Sequence, residues 1–199
     1  MPFTPLKTAL LNHLDLDQDR IHAAYVLAKE THKNQKRLSG EAYINHPVAV
    51  SLIILNAGGD EDMVCAALLH DCIEDAENPE QVAKDIAHQF GSHVYFLVEA
   101  LSKNKKILES QLRHKDFIEQ LDMAFGTDVG VFFIKLADLL HNLESIELLK
   151  PEKKAKWLRE LQQDYLPVIS DYFHQLSFHY HPMYHHLMDQ FEDIVSQKI

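Results

Sequence analysis

The stretch DVGVFFIKLADLLHNLESI, residues 128–146, can be read two ways, and the choice settles the fold class. Its first half, VGVFFI, is rich in β-branched and aromatic residues and resembles a buried strand when taken alone. Its second half, LADLLHNL, has a helical pattern. The surrounding chain decides. With only 6 Gly and 7 Pro in 199 residues, and with Leu, Ala, Glu, Gln and Lys common, an all-α protein is expected. Residues 128–146 then form one long buried helix.

The neighbouring segments fit that reading. A helix is expected over 19–32, with Ile21, Ala24, Leu27 and Ala28 on its apolar stripe. A polar loop follows, turning at Gly40. A second helix tolerates Pro47 in its first turn and ends at Gly58-Gly59. A third starts at Asp60 or Glu61 and runs without interruption through MVCAALLHDCIED. Asn78-Pro79 opens a short helix closed by Gly91, and another covers 93–101. Further helices are expected over 113–125, 152–175 and 182–195. No repeat or long linker interrupts them. A single domain over 1–199 is expected, with its motif-bearing core at about 20–150 and C-terminal helices over 151–199.

Composition narrows the function. A formal charge of −11 argues against nucleic acid and anionic lipid as partners, but not against a small anionic ligand in a locally positive pocket. No run reaches membrane-spanning length, and the N-terminus lacks the pattern of an export signal. Cys65 and Cys72 lie in an apolar stretch; on one helix they would stand about 10 Å apart along the axis, too far to bridge. They read as core thiols in a reducing cytoplasm.

Four polar residues interrupt the apolar helices at three places. His46 starts one helix, His70 and Asp71 lie near the end of another, and Asp138 sits inside FFIKLADLLHNL. Each has an ordinary explanation as a cap or solvated helix end. Together they suggest a metal site, because a buried carboxylate without a partner is costly. Two imidazoles and two carboxylates suit Mn, Fe, Zn or Co better than Ca. Glu74 and Asp75 stand four residues beyond His70 and Asp71, where they could orient or deprotonate an attacking water. Acidic residues at a helix C-terminus oppose its dipole, which favours a functional reason for them. One turn after Asp138 come His141 and Asn142; Asn142 carries both a donor and an acceptor for a base or ribose edge. Lys36, Arg37 and Ser39 beside Gly40 form either a basic surface turn or a loop that meets a base or a phosphate.

In this order the segments resemble the hydrolase domain of the RelA/SpoT family. HKNQKRLSGEAYINHPVAVSLII (32–54) is similar to that family's opening motif, and AALLHDCIEDA (66–76) to its Leu-Leu-His-Asp-x-x-Glu-Asp motif. HQFGSHVYFLVEALSK (88–103) and FFIKLADLLHNLES (132–145) match its two later motifs. The resemblance implies an all-α HD-domain helical bundle that removes the 3′-pyrophosphate of the guanosine alarmones ppGpp and pppGpp with Mn(II). It implies His46, His70, Asp71 and Asp138 as metal ligands, and Glu74 and Asp75 as the residues that activate or place the water. Lys36, Arg37 and Ser39 would line the nucleoside pocket, with Asn142 and Ser145 across from them and Lys103 at the phosphate end.

The chain departs from the family at Leu38 and Glu144, where Lys and Arg are usual, and at Ala42, Leu139 and Ser145. Loss of positive charge at 38 and 144 opens an alternative substrate, an adenosine alarmone or another 3′-phosphorylated nucleotide. A non-catalytic nucleotide sensor is the further alternative, although no ligand or water activator is missing. Bifunctional members continue into synthetase and regulatory domains for which this chain has no room, so the resemblance implies a stand-alone cytoplasmic hydrolase. FHYHPMYHHL places His179, His181, His185 and His186 together; these read as structural, at a subunit interface or a lid. The amphipathic final helix would suit a homo-oligomer.

Overall fold

The computed structural model describes residues 3–176 and 181–198, with side chains for all of these except 181–184. Helices α1 (Thr4–Leu10), α2 (Gln18–Thr31), α3 (Asn45–Asn56), α4 (Glu61–Leu69), α5 (Cys72–Asp75), α6 (Pro79–Leu101), α7 (Ser110–Thr127) and α8 (Val129–Glu144) follow one another. Then come a 3-10 turn at Ile146–Leu148, α9 (Pro151–Glu160), a π-helical turn at Leu161–Tyr165, α10 (Leu166–Phe173) and α11 (His181–Lys198). Among the described residues the nearest thing to a sheet is a single antiparallel bridge between Lys36 and Ala42. The all-α expectation holds.

Two helices form the centre. Every residue of α4 from Met63 to Leu69 is buried, and so is every residue of α8 from Gly130 to Leu140. A helix that is apolar all round has to be enclosed by others. α4 packs against α2, α3 and α6, while α8 packs against α3, α6, α7 and α11. This settles the strand-like VGVFFI: Val131, Phe132, Phe133 and Ile134 face several partners around one axis, which a strand with two faces could not offer. The Asp128 carboxylate starts α8 by accepting from the Gly130 N–H at 2.7 Å. Asp60 caps α4 through the Met63 N–H at 2.9 Å. One cluster of buried apolar residues runs from Leu6 on α1 to Phe191 on α11.

The structure differs from the sequence reading at three places. The helix expected to run unbroken through 60–75 ends at Leu69 and restarts at Cys72. At the break Asp71 adopts φ −96°, ψ −6°, and the His70 ring takes the Ala67 carbonyl at 2.8 Å. An unbroken helix would send neighbouring side chains 100° apart; the break lets His70 and Asp71 share a direction. Helix α1 lies before any expected element, and buries Leu6 and Leu10. The helix expected over 152–175 is interrupted by the π-helical turn, which buries Leu161 and Tyr165. In the histidine cluster, His179 lies outside the described residues, as does the His181 side chain; His185 and His186 are exposed.

α6 joins the two helices expected either side of Gly91, across a kink at which Gly91 has φ +86°. An added Cβ there would meet nothing within 4 Å, so only backbone conformation is at stake. Gly91→Ala should therefore cost about 1–3 kcal/mol in urea unfolding through positive-φ strain alone. Just beyond the kink, His93 bridges Asp62 of α4 (2.7 Å) and the α8 cap Asp128 (2.8 Å). Partial burial opposes charge on His93, but the two carboxylates prevail and raise its pKa. Such a group stabilises fully below its unfolded pKa of about 6.5, and that contribution is lost as pH rises through the raised value. The stability gap between wild type and His93→Gln should be widest below about pH 6.5 and shrink as pH rises above it; an unchanged gap would contradict the bridge.

Candidate active site

His46 at the start of α3, His70 and Asp71 at the α4–α5 break, and Asp138 midway along α8 converge. His46 Nε2 lies 3.1 Å from Asp138 Oδ1 and 3.7 Å from Asp71 Oδ2. His70 Nε2 lies 3.1 Å from Asp71 Oδ2 and 3.8 Å from Asp138 Oδ1. Ligand atoms of His46, His70 and Asp138 all fall within 4.8 Å of one another. Adjacent ligands bound about 2.1 Å from one ion would be about 3 Å apart, so the spacing fits a shared cation.

The orientation of His70 supports that fit. Its Nδ1 faces the Ala67 carbonyl at 2.8 Å and must carry the proton of the neutral ring. The lone pair is then on Nε2. That atom is the single buried side-chain nitrogen or oxygen, among the described residues, with no hydrogen-bond partner. Native interiors seldom leave such an atom alone. Two imidazoles and two carboxylates would serve a divalent transition metal.

The surrounding residues brace the carboxylates. Lys135 Nζ donates to Asp138 Oδ2 at 2.8 Å, and Asn142 Nδ2 donates to Asp138 Oδ1 at 2.7 Å. The Tyr43 hydroxyl donates to Asp71 Oδ2 at 2.6 Å. Burial disfavours charge on Asp138, yet Lys135 and the imidazoles hold its carboxyl well below the usual carboxylate range. Burial and the neighbouring Asp71 both push the Tyr43 phenol upward, so it remains a donor. Without a cation, burial disfavours protonated His70, but Asp71 and Asp138 outweigh it and raise its pKa to about 9; a bound ion would take the place of that second proton at Nε2 and leave the ring neutral. Burial prevails at His46, whose pKa is lowered. The Lys135 ammonium also lies 4.9 Å from the Tyr165 ring centroid and 5.4 Å from that of Phe117. The π-helical turn delivers Tyr165, in keeping with the tendency of such turns to occur at functional sites.

A cleft of about 520 Å³ opens on this centre and is also lined by Glu74 and Asp75. Glu74 Oε2 accepts from the Lys103 N–H at 3.2 Å, and Asp75 Oδ1 faces Lys105 Nζ at 3.3 Å. Lys103, Lys105, Arg113 and Lys156 line its outer part, with His114 and Trp157. A locally positive pocket was expected from the sequence. Instead, five cationic side chains, counting Lys135, face five carboxylates: Asp71, Glu74, Asp75, Asp138 and Glu160. Side chains alone leave the cleft formally neutral; a divalent cation would make it positive.

A second cavity, about 280 Å³, adjoins the first through Tyr43, Asn142 and Trp157. Lys36, Arg37, Leu38, Ser39 and Ser145 line it, together with Leu148 and Leu149. Arg37 Nη2 donates to Asn142 Oδ1 at 3.2 Å and to Ser145 Oγ at 2.9 Å. Asn142 is therefore engaged at both ends of its amide, as a strut between Arg37 and Asp138. Ser39 donates to Glu41 at 3.0 Å. Leu38, 66% exposed, reaches this cavity, whereas Glu144 lines neither cavity. A larger cavity, about 840 Å³, lies beyond Glu74 and Lys103 but contains no histidine, so the chemistry belongs to the smaller cleft.

The structure thus brings His46, His70, Asp71, Asp138, Glu74, Asp75, Lys103 and Asn142 to one cleft, and Lys36, Arg37, Ser39 and Ser145 to the cavity beside it. Sequence reasoning did not single out Tyr43, Lys135, Arg113, His114, Lys156, Trp157 or Tyr165. For Lys135 a signal existed: it is charged, three residues before Asp138, on the same apolar helix. The others come from separate elements with no distinguishing pattern.

Known proteins share this arrangement of sequence and fold. Residues 9–169 match the family model described as HD domain. The chain is 36% identical over 181 residues to the bifunctional (p)ppGpp synthase/hydrolase SpoT of Escherichia coli K12, covering 89% of this chain and 25% of that protein. It is 35% identical over 159 residues to the guanosine-3′,5′-bis(diphosphate) 3′-pyrophosphohydrolase of Aquifex aeolicus, covering 80% of this chain and 22% of that protein. The chain therefore spans about a quarter of the length of these curated relatives. Among solved structures, a metazoan ortholog of SpoT described as hydrolysing ppGpp superposes with TM-score 0.72 at 24% identity, over 91% of this chain and 96% of that one. A Listeria monocytogenes protein superposes with TM-score 0.56 at 30% identity, over 76% and 97%.

The Lys135–Asp138 pair makes a direct test of the centre's electrostatics. Lys135→Met should destabilise the metal-free protein by about 3–5 kcal/mol, because it strands a buried carboxylate. Lys135→Met/Asp138→Leu should recover most of that loss in chemical denaturation; equal losses in the single and double variants would deny the coupling.

Proposed function

The chain belongs to the HD domain family, and we propose that it hydrolyses the 3′-pyrophosphate of (p)ppGpp, giving GDP or GTP and pyrophosphate. The observation that carries this reading is the convergence of His46, His70 and Asp138, with Asp71 and an unpartnered His70 Nε2, at the floor of a cleft that also contains Glu74 and Asp75. The relatives named for (p)ppGpp hydrolysis supply the substrate class.

His46, His70, Asp71 and Asp138 would hold a divalent transition metal, with Mn(II) the proposed ion. Bound there, it would supply Lewis acidity toward a phosphoryl oxygen and lower the pKa of water. Glu74 and Asp75 take or orient the proton of the attacking water. The Lys103 N–H and the Lys105 ammonium hold these carboxylates in place. The water oxygen forms a bond to the phosphorus next to the 3′-oxygen, and the P–O3′ bond breaks. The 3′-oxygen takes a proton and becomes the ribose hydroxyl, and pyrophosphate leaves. Lys103, Lys105, Arg113 and Lys156 offset the charge that gathers on the phosphoryl oxygens. The nucleoside occupies the adjoining cavity, where Asn142 and Ser145 anchor the Arg37 guanidinium.

Leu38 supports a second reading. It replaces a cation at the mouth of the nucleoside cavity, which favours an adenosine alarmone or another 3′-phosphorylated nucleotide. A non-catalytic sensor ranks behind both, since the proposed ligands and water activators are all gathered. No helix among the described residues is long and apolar enough to cross a membrane. Two free buried thiols fit a cytoplasmic setting.

Purified protein with Mn(II) should release pyrophosphate from ppGpp. Asp138→Ala should abolish release, and Glu74→Gln or Asp75→Asn should lower kcat by about 10²–10⁴-fold. Release from ppApp alone would move the assignment to the adenosine series; metal binding without turnover of either nucleotide would leave the sensor.

A further inference from the structure

The two imidazoles of the centre are oriented by different means. His70 Nδ1 is fixed by a main-chain carbonyl, that of Ala67, at 2.8 Å. His46 has no such main-chain partner for its side chain: its Nδ1 meets Nδ1 of another histidine, His141, at 2.7 Å. Two nitrogens at that distance require one to donate and the other to accept. The rings are 4.9 Å apart between centroids and tilted by 35° to one another.

The direction of the bond follows from the other end of His46. Its Nε2 faces two carboxylate oxygens, Asp138 Oδ1 at 3.1 Å and Asp71 Oδ2 at 3.7 Å. As a metal ligand, Nε2 must present a lone pair, so the proton of the neutral ring lies on Nδ1. We propose that His141 is a positioning residue: its Nδ1 accepts the His46 Nδ1–H and so holds His46 in the tautomer whose Nε2 faces the ion. His141 then carries its own proton on Nε2, on the side away from His46.

α8 thereby acts on the centre through three successive side chains of one face. Asp138 enters it directly, His141 holds His46, and Asn142 holds Asp138 from one turn below. His141 is itself only half buried, while His46 is 2% exposed. If His141 offered no acceptor, His46 Nδ1 would lose its hydrogen-bond partner on a ring that is itself buried. The ring could then exchange tautomers or rotate, and its ligand nitrogen would no longer be fixed. Residues that orient metal-binding imidazoles in this way typically govern affinity by about 10–100-fold.

The inference rests on the reading of His46 as a ligand, and the experiment separates the two. Mn(II) binding to the full chain is measured by titration calorimetry for wild type, His46→Ala, His141→Phe, His141→Leu and His141→Asn, with thermal melts in the absence of metal. Phe keeps the ring and its packing but has no acceptor. Asn lacks the ring but places an oxygen near the position of Nδ1. The expected result is a Kd raised about 10–100-fold by Phe and by Leu, and restored to within about threefold by Asn. Rescue by Phe and not by Asn would overturn the proposal in favour of simple packing, as would wild-type affinity in Leu. Wild-type affinity in His46→Ala would remove the ligand reading and this inference with it, whereas loss in His46→Ala with no effect of Phe or Leu would remove only the role of His141. Should Leu fail to fold, the Phe and Asn pair decides alone.

Discussion

A carboxylate buried in the middle of an apolar helix is the constraint around which this molecule is arranged. Asp138 is 8% exposed, on a helix otherwise lined by Val, Phe, Ile and Leu. An isolated charge there would not persist. It persists because Lys135 takes one oxygen, Asn142 and His46 approach the other, and the helix keeps Lys135 and Asn142 in register with it. Each partner draws in a further element. Lys135 is covered by the rings of Phe117 and Tyr165, from α7 and the π-helical turn. Asn142 brings the Arg37 loop, and His46 brings the start of α3. The site is thus a consequence of stabilising one ion in a place where the fold would otherwise exclude it.

The same arrangement explains why the cleft and the second cavity are adjacent. Asn142 binds Asp138 with one end of its amide and Arg37 with the other. The cavity lined by Arg37 cannot shift relative to the metal centre without stretching that link. With its imidazoles counted as neutral, the cleft is formally neutral: its five carboxylates are balanced by lysines and an arginine supplied from α7, α8, α9 and the loop after α6.

What could be read in the sequence, and what could not, follows from the range of each signal. Asp138, His70 and Asp71 stood out because polarity breaks an apolar pattern, and that contrast is local. The helical nature of 128–146 came from its second half and from the composition of the whole chain. The break at His70–Asp71 left no such trace, because the apolar pattern runs on through Cys72 and Ile73 while the backbone turns. The π-helical turn was hidden for the same reason: one extra residue in a turn alters which side chains face inward without altering composition. Arg113, Lys156 and Trp157 are ordinary surface-helix residues until tertiary packing brings α7 and α9 to the rim of the cleft. The role of Asn142 was legible as polarity beside Asp138, but not as a strut, since its second partner lies 105 residues away.

The enclosure of α8 has a bearing on how the protein is made. Leu187, Met188 and Phe191 of α11 are buried, and α11 packs directly on α8. During synthesis the helix bearing Asp138 emerges some fifty residues before the segment that finally covers it, and after His46, His70 and Asp71 have already left the ribosome. Until α11 docks, α8 is an apolar rod with an uncovered flank, which is the kind of surface that chaperones engage and that other nascent chains can stick to.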